Sequence, residues 1–276
     1  MAKAQVFIEQ GEDGVGIAYR LMERLNAQEL LLPSSKVLLK PNITAARPAA
    51  SGVITHPSLL EGVLQYLRDC GVREAIIGEG GGCDISQAFE DFGFAEVARR
   101  YGAKLADFNR EEEVFLRVPR PLHQETFGIA RTVVECEVLI NLPVLKVHTP
   151  PALVTLGLKN LMGCLVKDRS AMHQGFDEKI VDLAQVVPPT LNIIDGIVGL
   201  ERQEIHGRPV GMKVVLASRD VVAVDAVAAA VMGFAEGEVH HIALAGEWGL
   251  GQARLAEIEI LGPKVTSLRR PFQRAQ

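Results

Sequence analysis

The chain alternates short apolar runs with longer stretches of helical periodicity. Runs at 4–9, 36–40, 74–78, 104–108, 114–118, 137–141, 191–195, 212–218 and 257–261 read as strands. Several are nearly all Val, Ile and Leu, the composition of strands buried on both faces. Helical patterns cover 15–27, 57–70, 86–101, 125–135, 152–162, 178–187, 221–232 and 238–248. Strand followed by helix, repeated, predicts crossover units and a mainly parallel sheet flanked by helices, the α/β class. Pro57 falls in the first turn of one helix and Gly71 just after it. Asp220 stands as an N-cap before 221–232, and Gly233 follows that helix.

One stretch breaks the alternation. Residues 109–124 carry Arg110-Glu111-Glu112-Glu113 and then Pro119 and Pro121. They predict an excursion or a boundary between two lobes within a single α/β domain over 1–262. Residues 263–276 are basic and aperiodic and predict a frayed tail.

Composition narrows the function classes. With 48% hydrophobic residues in 276, the chain has enough apolar surface for a large core, which excludes a disordered protein. A net charge of −5 argues against nucleic acid as a partner. The longest apolar run, 221–234, holds Asp225 and is too short to cross a bilayer, so no membrane is expected. The N-terminus enters a strand with no basic and apolar leader pattern. Cys70, Cys83, Cys136 and Cys164 lie far apart with no CxxC pair, as in a reducing cytoplasm.

In open parallel sheets, ligands bind beyond the carboxyl ends of the strands. Lys40-Pro41-Asn42 follows the second strand, and Glu79-Gly80-Gly81-Gly82-Cys83 the third. Lys146 and His148 come shortly after 137–141, and Asp195 ends 191–195. Lys40, Lys146 and Lys159 supply point charges for a carboxylate or phosphate, and Asn42 and Asn160 neutral hydrogen-bond groups. Gly80, Gly81 and Gly82 let backbone amides approach an anion, yet form neither a dinucleotide fingerprint nor a P-loop. A His beside lysines loses basicity, which suits His148 as a base. Lys167, Asp168, Arg169 and His173 follow in a polar loop, with His173 a candidate lid residue. Glu79, Asp195 and Asp225 offer hard oxygen ligands for a divalent metal. Cys83 and Cys164 offer thiolates for a soft metal or a shared iron–sulfur cluster.

These motifs, in this order, resemble a prokaryotic family known as a domain of unknown function, numbered three hundred and sixty-two. The resemblance rests on Lys40-Pro41-Asn42, Thr55-His56-Pro57, the glycines after Ile76-Ile77-Gly78, and Leu145-Lys146-Val147-His148. It continues through Leu158-Lys159-Asn160 with Gly163, His173, Ile194-Asp195-Gly196, and Asp220 with Ala223-Val224-Asp225. It covers about 4–251 and implies no settled activity. Some relatives carry an added cysteine-rich ferredoxin-like domain, which is not seen in this sequence. A weaker similarity is to the N-terminal domain of the nickel-pincer lactate racemase type, through Thr55-His56-Pro57, Cys70-Gly71-Val72 and Gly80-Gly81-Gly82. Cys83-Asp84 stands where that type has a His-rich signature.

The reading is an enzyme that binds a small anionic molecule, a carboxylate or phosphate. Lys146, His148, His173 and Lys159 would be catalytic. Lys40, Asn42, Gly80, Gly81, Gly82 and Asn160 would hold the substrate. Glu79, Asp195, Asp225, Cys83 and Cys164 would serve a metal. The alternatives are an iron–sulfur or metal protein for electron transfer or cofactor assembly, and a non-catalytic module for an anionic metabolite. The sequence leaves a homodimer open.

Overall fold

The computed structural model describes residues 3–167 and 169–275, so Asp168 and the final residue of the tail lie outside the described part. In chain order, β1 (Ala4–Gln10) leads to α1 (Gly14–Arg24), β2 (Lys36–Lys40), α2 (Pro57–Asp69) and β3 (Glu74–Glu79). Then come α3 (Ile85–Asp91), α4 (Phe94–Tyr101), β4 (Lys104–Asp107), β5 (Glu113–Arg117), β6 (Thr126–Ala130) and α5 (Arg131–Glu135). Next are β7 (Val138–Asn141), β8 (Val144–Val147), β9 (Val154–Thr155), α6 (Gly157–Asn160) and α7 (Phe176–Val186). The chain closes with β10 (Leu191–Glu201), β11 (Arg208–Ser218), α8 (Val221–Val231), α9 (His240–Glu247), β12 (Ile258–Leu261) and α10 (Val265–Leu268).

The main sheet runs β12-β1-β11-β10-β7-β2-β3-β4, with β8 branching from β10 and carrying β9. The block β10-β7-β2-β3-β4 is wholly parallel, and β8 joins β10 in the same sense. β11 runs against both its neighbours. Side chains alternate between two cores, because successive strand residues point to opposite faces. Val37, Leu39, Ile77 and Ile140 pack under α1 to α4 on one face. Leu38, Ile76, Leu139 and Ile194 pack under α7, α8 and α9 on the other.

Connections leave β2 toward β3 and β4 on one side, while β7 and β10 lie on the other. The order therefore reverses between β2 and β7, whose last residues Lys40 and Asn141 face each other in register. Such a reversal opens a crevice at the carboxyl ends, where open α/β sheets bind ligands.

Several expected elements differ. The helix over 86–101 is two helices, because Gly93 adopts a left-handed φ of 87° between them. Residues 126–130 form a strand, not a helix, and pair antiparallel with β5 as a separate two-stranded sheet. Phe127 and Ile129 are buried there, so this excursion packs on the α7–α9 core. Only four residues of 152–162 form an α-helix, and β9 precedes them. The C-terminal segment is not frayed. Phe272 is buried, its amide donates to Met232 O, and the Gln273 amide donates to Glu201. Asp220 caps α8 through the Ala223 amide, and Gly233 follows that helix at φ 87°. α8 is buried along its whole length. Among the described residues no helix is long and apolar enough to cross a membrane.

Candidate active site

At the carboxyl ends of the neighbouring strands β2 and β3, beside the β2–β7 reversal, lies a buried ion pair. Lys40 Nζ donates to Glu79 Oε1 at 2.8 Å and to Oε2 at 2.9 Å, and both side chains are almost wholly excluded from solvent. Glu79 also accepts the amides of Gly80 and Ile43, and Lys40 reaches Pro41 O. Burying two charges requires this degree of hydrogen bonding. A side chain at Gly163 would strike both partners, so only glycine lets this turn close over the pair.

Beside it runs a chain of asparagines. Asn42 Nδ2 donates to Asn160 Oδ1, Asn160 Nδ2 to Asn141 Oδ1, and Asn141 Nδ2 to Asn192 Oδ1. It crosses from the β2 loop through α6 to β7 and β10 and locks the crevice walls together. Thr55 joins in by accepting the Asn42 amide and donating to Leu142 O.

The next layer is cationic. Lys146, on β8, donates to Thr44 Oγ1 at 2.8 Å and Val53 O at 2.9 Å, and lies 3.5 Å from Glu204 O. Three acceptors match the three ammonium protons, but burial and the nearby Lys159 charge bring its pKa down to about 7. His148 Nδ1 faces the Thr149 carbonyl at 2.9 Å, and a carbonyl only accepts, so the ring proton sits there. Nε2 is left bare, 3.9 Å from Glu204 Oε1. Burial, then Lys159, lowers the ring to a pKa of about 4, so it is neutral at pH 7. Burial lowers Lys159 to about 8, with Lys40 adding to the fall and Glu204 opposing it. Burial would raise Glu204, but backbone amides, His148 and Lys159 outweigh it and hold the carboxyl below its usual range.

Charge is thus unbalanced. Lys40 is neutralised by Glu79, and Glu204 is the acid that Lys146, His148 and Lys159 share. Among the described residues, Lys159 has no hydrogen bond or ion pair to a protein group. Arg169 adds another cation, half buried against Gly81 O, Met162 O and Leu165 O.

The family described as Domain of unknown function (DUF362) matches residues 37–230. The chain belongs to that family. A thylakoid-associated protein of Synechocystis sp. is 27% identical over 205 residues, which are 70% of this chain and 61% of that protein. The lactate racemase apoprotein from Thermoanaerobacterium thermosaccharolyticum shares the fold at a TM-score of 0.50 and 13% identity, over 86% of this chain and 58% of that one. The chain spans less than two thirds of the length of either.

Within this DUF362 chain the structure joins Lys40, Asn42, Glu79, Lys146, His148, Lys159 and Asn160 around one crevice. Other expected site residues serve elsewhere. Gly80 spends its amide on Glu79, and side chains at Gly80 or Gly81 would strike Gly163 O, Arg169 or Ile43 O. These glycines allow backbone segments to touch, and Gly82 lies at the surface. His173 is exposed and stacks on Phe176, and among the described residues no hydrogen bond or ion pair ties it to the lysines.

The expected metal set does not assemble. Asp195 accepts the amide of His56, the residue that caps α2, and the Ile197 amide at the bulge in β10. Asp225 accepts the Gly157 and Leu158 amides and so fixes α6, which carries Lys159 and Asn160. Burial raises both carboxyls, Asp225 to about 7. Glu79 is saturated by Lys40 and two amides. Cys164 is sealed in the core on one face of the sheet, and Cys83 packs against the other. Burial pushes both thiols up, Cys164 to about 12, away from the thiolate a metal needs. Among the described residues no three His, Cys, Asp or Glu side chains are placed to hold an ion. The nickel-pincer group implied by the racemase resemblance does not fit either, because Asp84 caps α3 and pairs with Arg110 where that type places its histidines.

Glu204, Thr44, Asn141 and Asn192 have no role in the sequence reading, and Arg169 enters it only as part of a polar loop. Asn141 and Asn192 carry a readable signal, a polar residue in an otherwise apolar strand. Glu204 carries none, because it reaches the crevice only through the β10–β11 hairpin.

Proposed function

We propose that this chain is an enzyme that binds a small anion, a carboxylate or phosphate, against Lys159 and moves a proton with Lys146 and His148. The observation that carries the reading is the partly buried Lys159 ammonium, which among the described residues has no hydrogen bond or ion pair to a protein group. Withdrawing an unpaired cation from water even in part is costly, and an anionic ligand relieves that cost. The likeness to lactate racemase, a protein named for a small carboxylate, agrees in fold and favours carboxylates for the first screen.

The proton chemistry follows from the two neighbours. Lys146 is balanced near neutrality, so it takes or gives a proton at little cost. His148 presents a bare Nε2 with its Nδ1 proton held by Thr149 O, the tautomer of a base. Glu204 lies against His148 and stabilises the ring when it is charged.

The test is calorimetric titration of the full chain with acetate, malonate and inorganic phosphate, followed by proton NMR of the bound carboxylates in D₂O. Binding should weaken at least about tenfold in Lys159→Met. Exchange of a carbon-bound proton in a bound carboxylate should vanish in Lys146→Met while binding persists. Equal affinity in wild type and Lys159→Met would overturn the proposal.

A further inference from the structure

Residues 43–54 form a closed loop over the buried Lys146. Ile43 and Ile54 pair at its base, and the Thr55 amide donates to Asn42 O just beneath. Gly52, at φ 73°, rests on β10, where a Cβ would stand 2.5 Å from Gly199 O. The next residue of β10, Leu200, is the register partner of Lys146. The two legs of the loop therefore grip the Lys146 ammonium through Thr44 Oγ1 and Val53 O, and Glu204 O approaches from the β10–β11 hairpin.

This loop carries a single charge, Arg47, set among Ala45, Ala46, Pro48, Ala49 and Ala50. Arg47 is exposed and, among the described residues, has no carboxylate partner. Its hydrogen bond crosses to the hairpin, where Nη2 donates to His206 Nδ1 at 3.4 Å. A guanidinium only donates, so this ring accepts and is neutral with its proton on Nε2. His206 stands two residues from Glu204, whose Oε1 lies 3.9 Å from His148 Nε2 and whose Oε2 accepts the Thr149 amide. Arg47 thus joins, on the solvent side, the same loop and hairpin that hold Lys146 and His148 beneath.

A neutral imidazole at 3.4 Å is a weak partner for a guanidinium. A carboxylate or phosphate accepts two parallel bonds from the same fork, shorter and charge-assisted. The protein supplies no acid for that exchange. Across 43–54 and 202–207 the one acid is Glu204, which is held by the Thr149 amide and faces His148.

We propose that Arg47 is a second anion-binding residue of this crevice, and that the ligand is a small acid with two anionic groups. The inner group meets Lys159, and the outer one draws Arg47 away from His206. This rests on Lys159 holding the inner group, and it narrows the ligand from any small anion to a dianion such as a dicarboxylate.

The test is calorimetric titration of the full chain with acetate, malonate and succinate. At least one dicarboxylate should bind about tenfold or more tightly than acetate. Arg47→Met should lose that preference and bind acetate as the wild type does, while Arg47→Lys, which keeps the charge without the fork, should retain part of it. Because Arg47 is exposed, both variants should melt with the wild type. In ¹⁵N-histidine NMR the preferred dicarboxylate should shift His206 Nδ1, acetate should not, and Arg47→Met should abolish the response. No preference for either dicarboxylate in the wild type, or the same preference in Arg47→Met, would overturn the proposal. Failure of the Lys159 reading shows separately, as acetate binding that Lys159→Met leaves unchanged.

Discussion

Replacing Glu79 by Gln probes the buried ion pair most directly. Glu79 accepts four hydrogen bonds: two from Lys40 and one each from the Ile43 and Gly80 amides. Gln keeps the shape but turns one acceptor into an NH₂ group, which must then face a backbone N–H. It also leaves the Lys40 charge buried without a counter-ion. Removing one partner of a buried pair costs about 3–5 kcal/mol. For a domain of this size each kcal/mol lowers Tm by about 2–4 °C, so the fall should be about 6–20 °C. Thermal unfolding by circular dichroism reads it, and the fall should persist in about 0.5 M salt because solvent ions do not screen a buried pair. The double variant Lys40→Met, Glu79→Leu should recover much of the stability, since apolar replacement of a buried pair is often neutral. A Glu79→Gln protein melting within about 2 °C of wild type would show that the pair is not the buried keystone described here.

Four other outcomes follow from the same geometry. Lys146 has its folded pKa lowered to about 7, so between about pH 7 and 10.5 the unfolded chain binds the extra proton and stability rises with pH. Asp225, raised to about 7, acts oppositely: stability falls as pH climbs from about 4 to 7, and urea midpoints of Lys146→Met and Asp225→Asn should each flatten their own window. Asp225→Ala frees the Gly157 and Leu158 amides, and should cost about 2–4 kcal/mol, speed hydrogen exchange over 157–160 and weaken anion binding. Gly163→Ala places a Cβ 2.0 Å from Glu79 Oε1 and 2.6 Å from Lys40 Nζ, and should destabilise by about 1–3 kcal/mol, whereas Gly211→Ala meets nothing within 4 Å and should melt like wild type. Protein purified without oxygen should show the same iron content, by plasma mass spectrometry, in Cys83→Ser and Cys164→Ser as in wild type, because those thiols lie on opposite faces of the sheet; a loss of bound iron in either variant would revive the cluster reading.

Much of the fold was legible because its signals are local. β2, β3 and β7 are apolar runs of the length of a strand, and Pro57, Asp220 and Gly233 mark helix ends by their own backbone chemistry. Where local signals conflict, neighbours decided. Thr126–Ala130 could pack either way by its apolar content, and β5 made it a strand by pairing with it. The 263–276 segment has no periodicity, yet Phe272 and the backbone bonds to Val231 and Met232 hold it down.

The site divides in the same manner. Lys40, Glu79, Lys146, His148 and Lys159 were recognisable one by one, because charged residues at the ends of buried strands or inside an apolar segment need a reason. Their partners were not, since a hydrogen bond across 39 or 118 residues leaves no trace in spacing. Asp195 and Asp225 show the limit. Both are buried acids, and sequence alone allowed metal ligands as readily as backbone caps. Only the packing of β10 against α2, and of α8 against α6, brought amide donors to them. The sequence by itself determined an α/β chain with cations and acids at the strand ends. Tertiary structure decided which charges cancel and which one is left open, because burial and partner distance, not residue type, set what a charge can do.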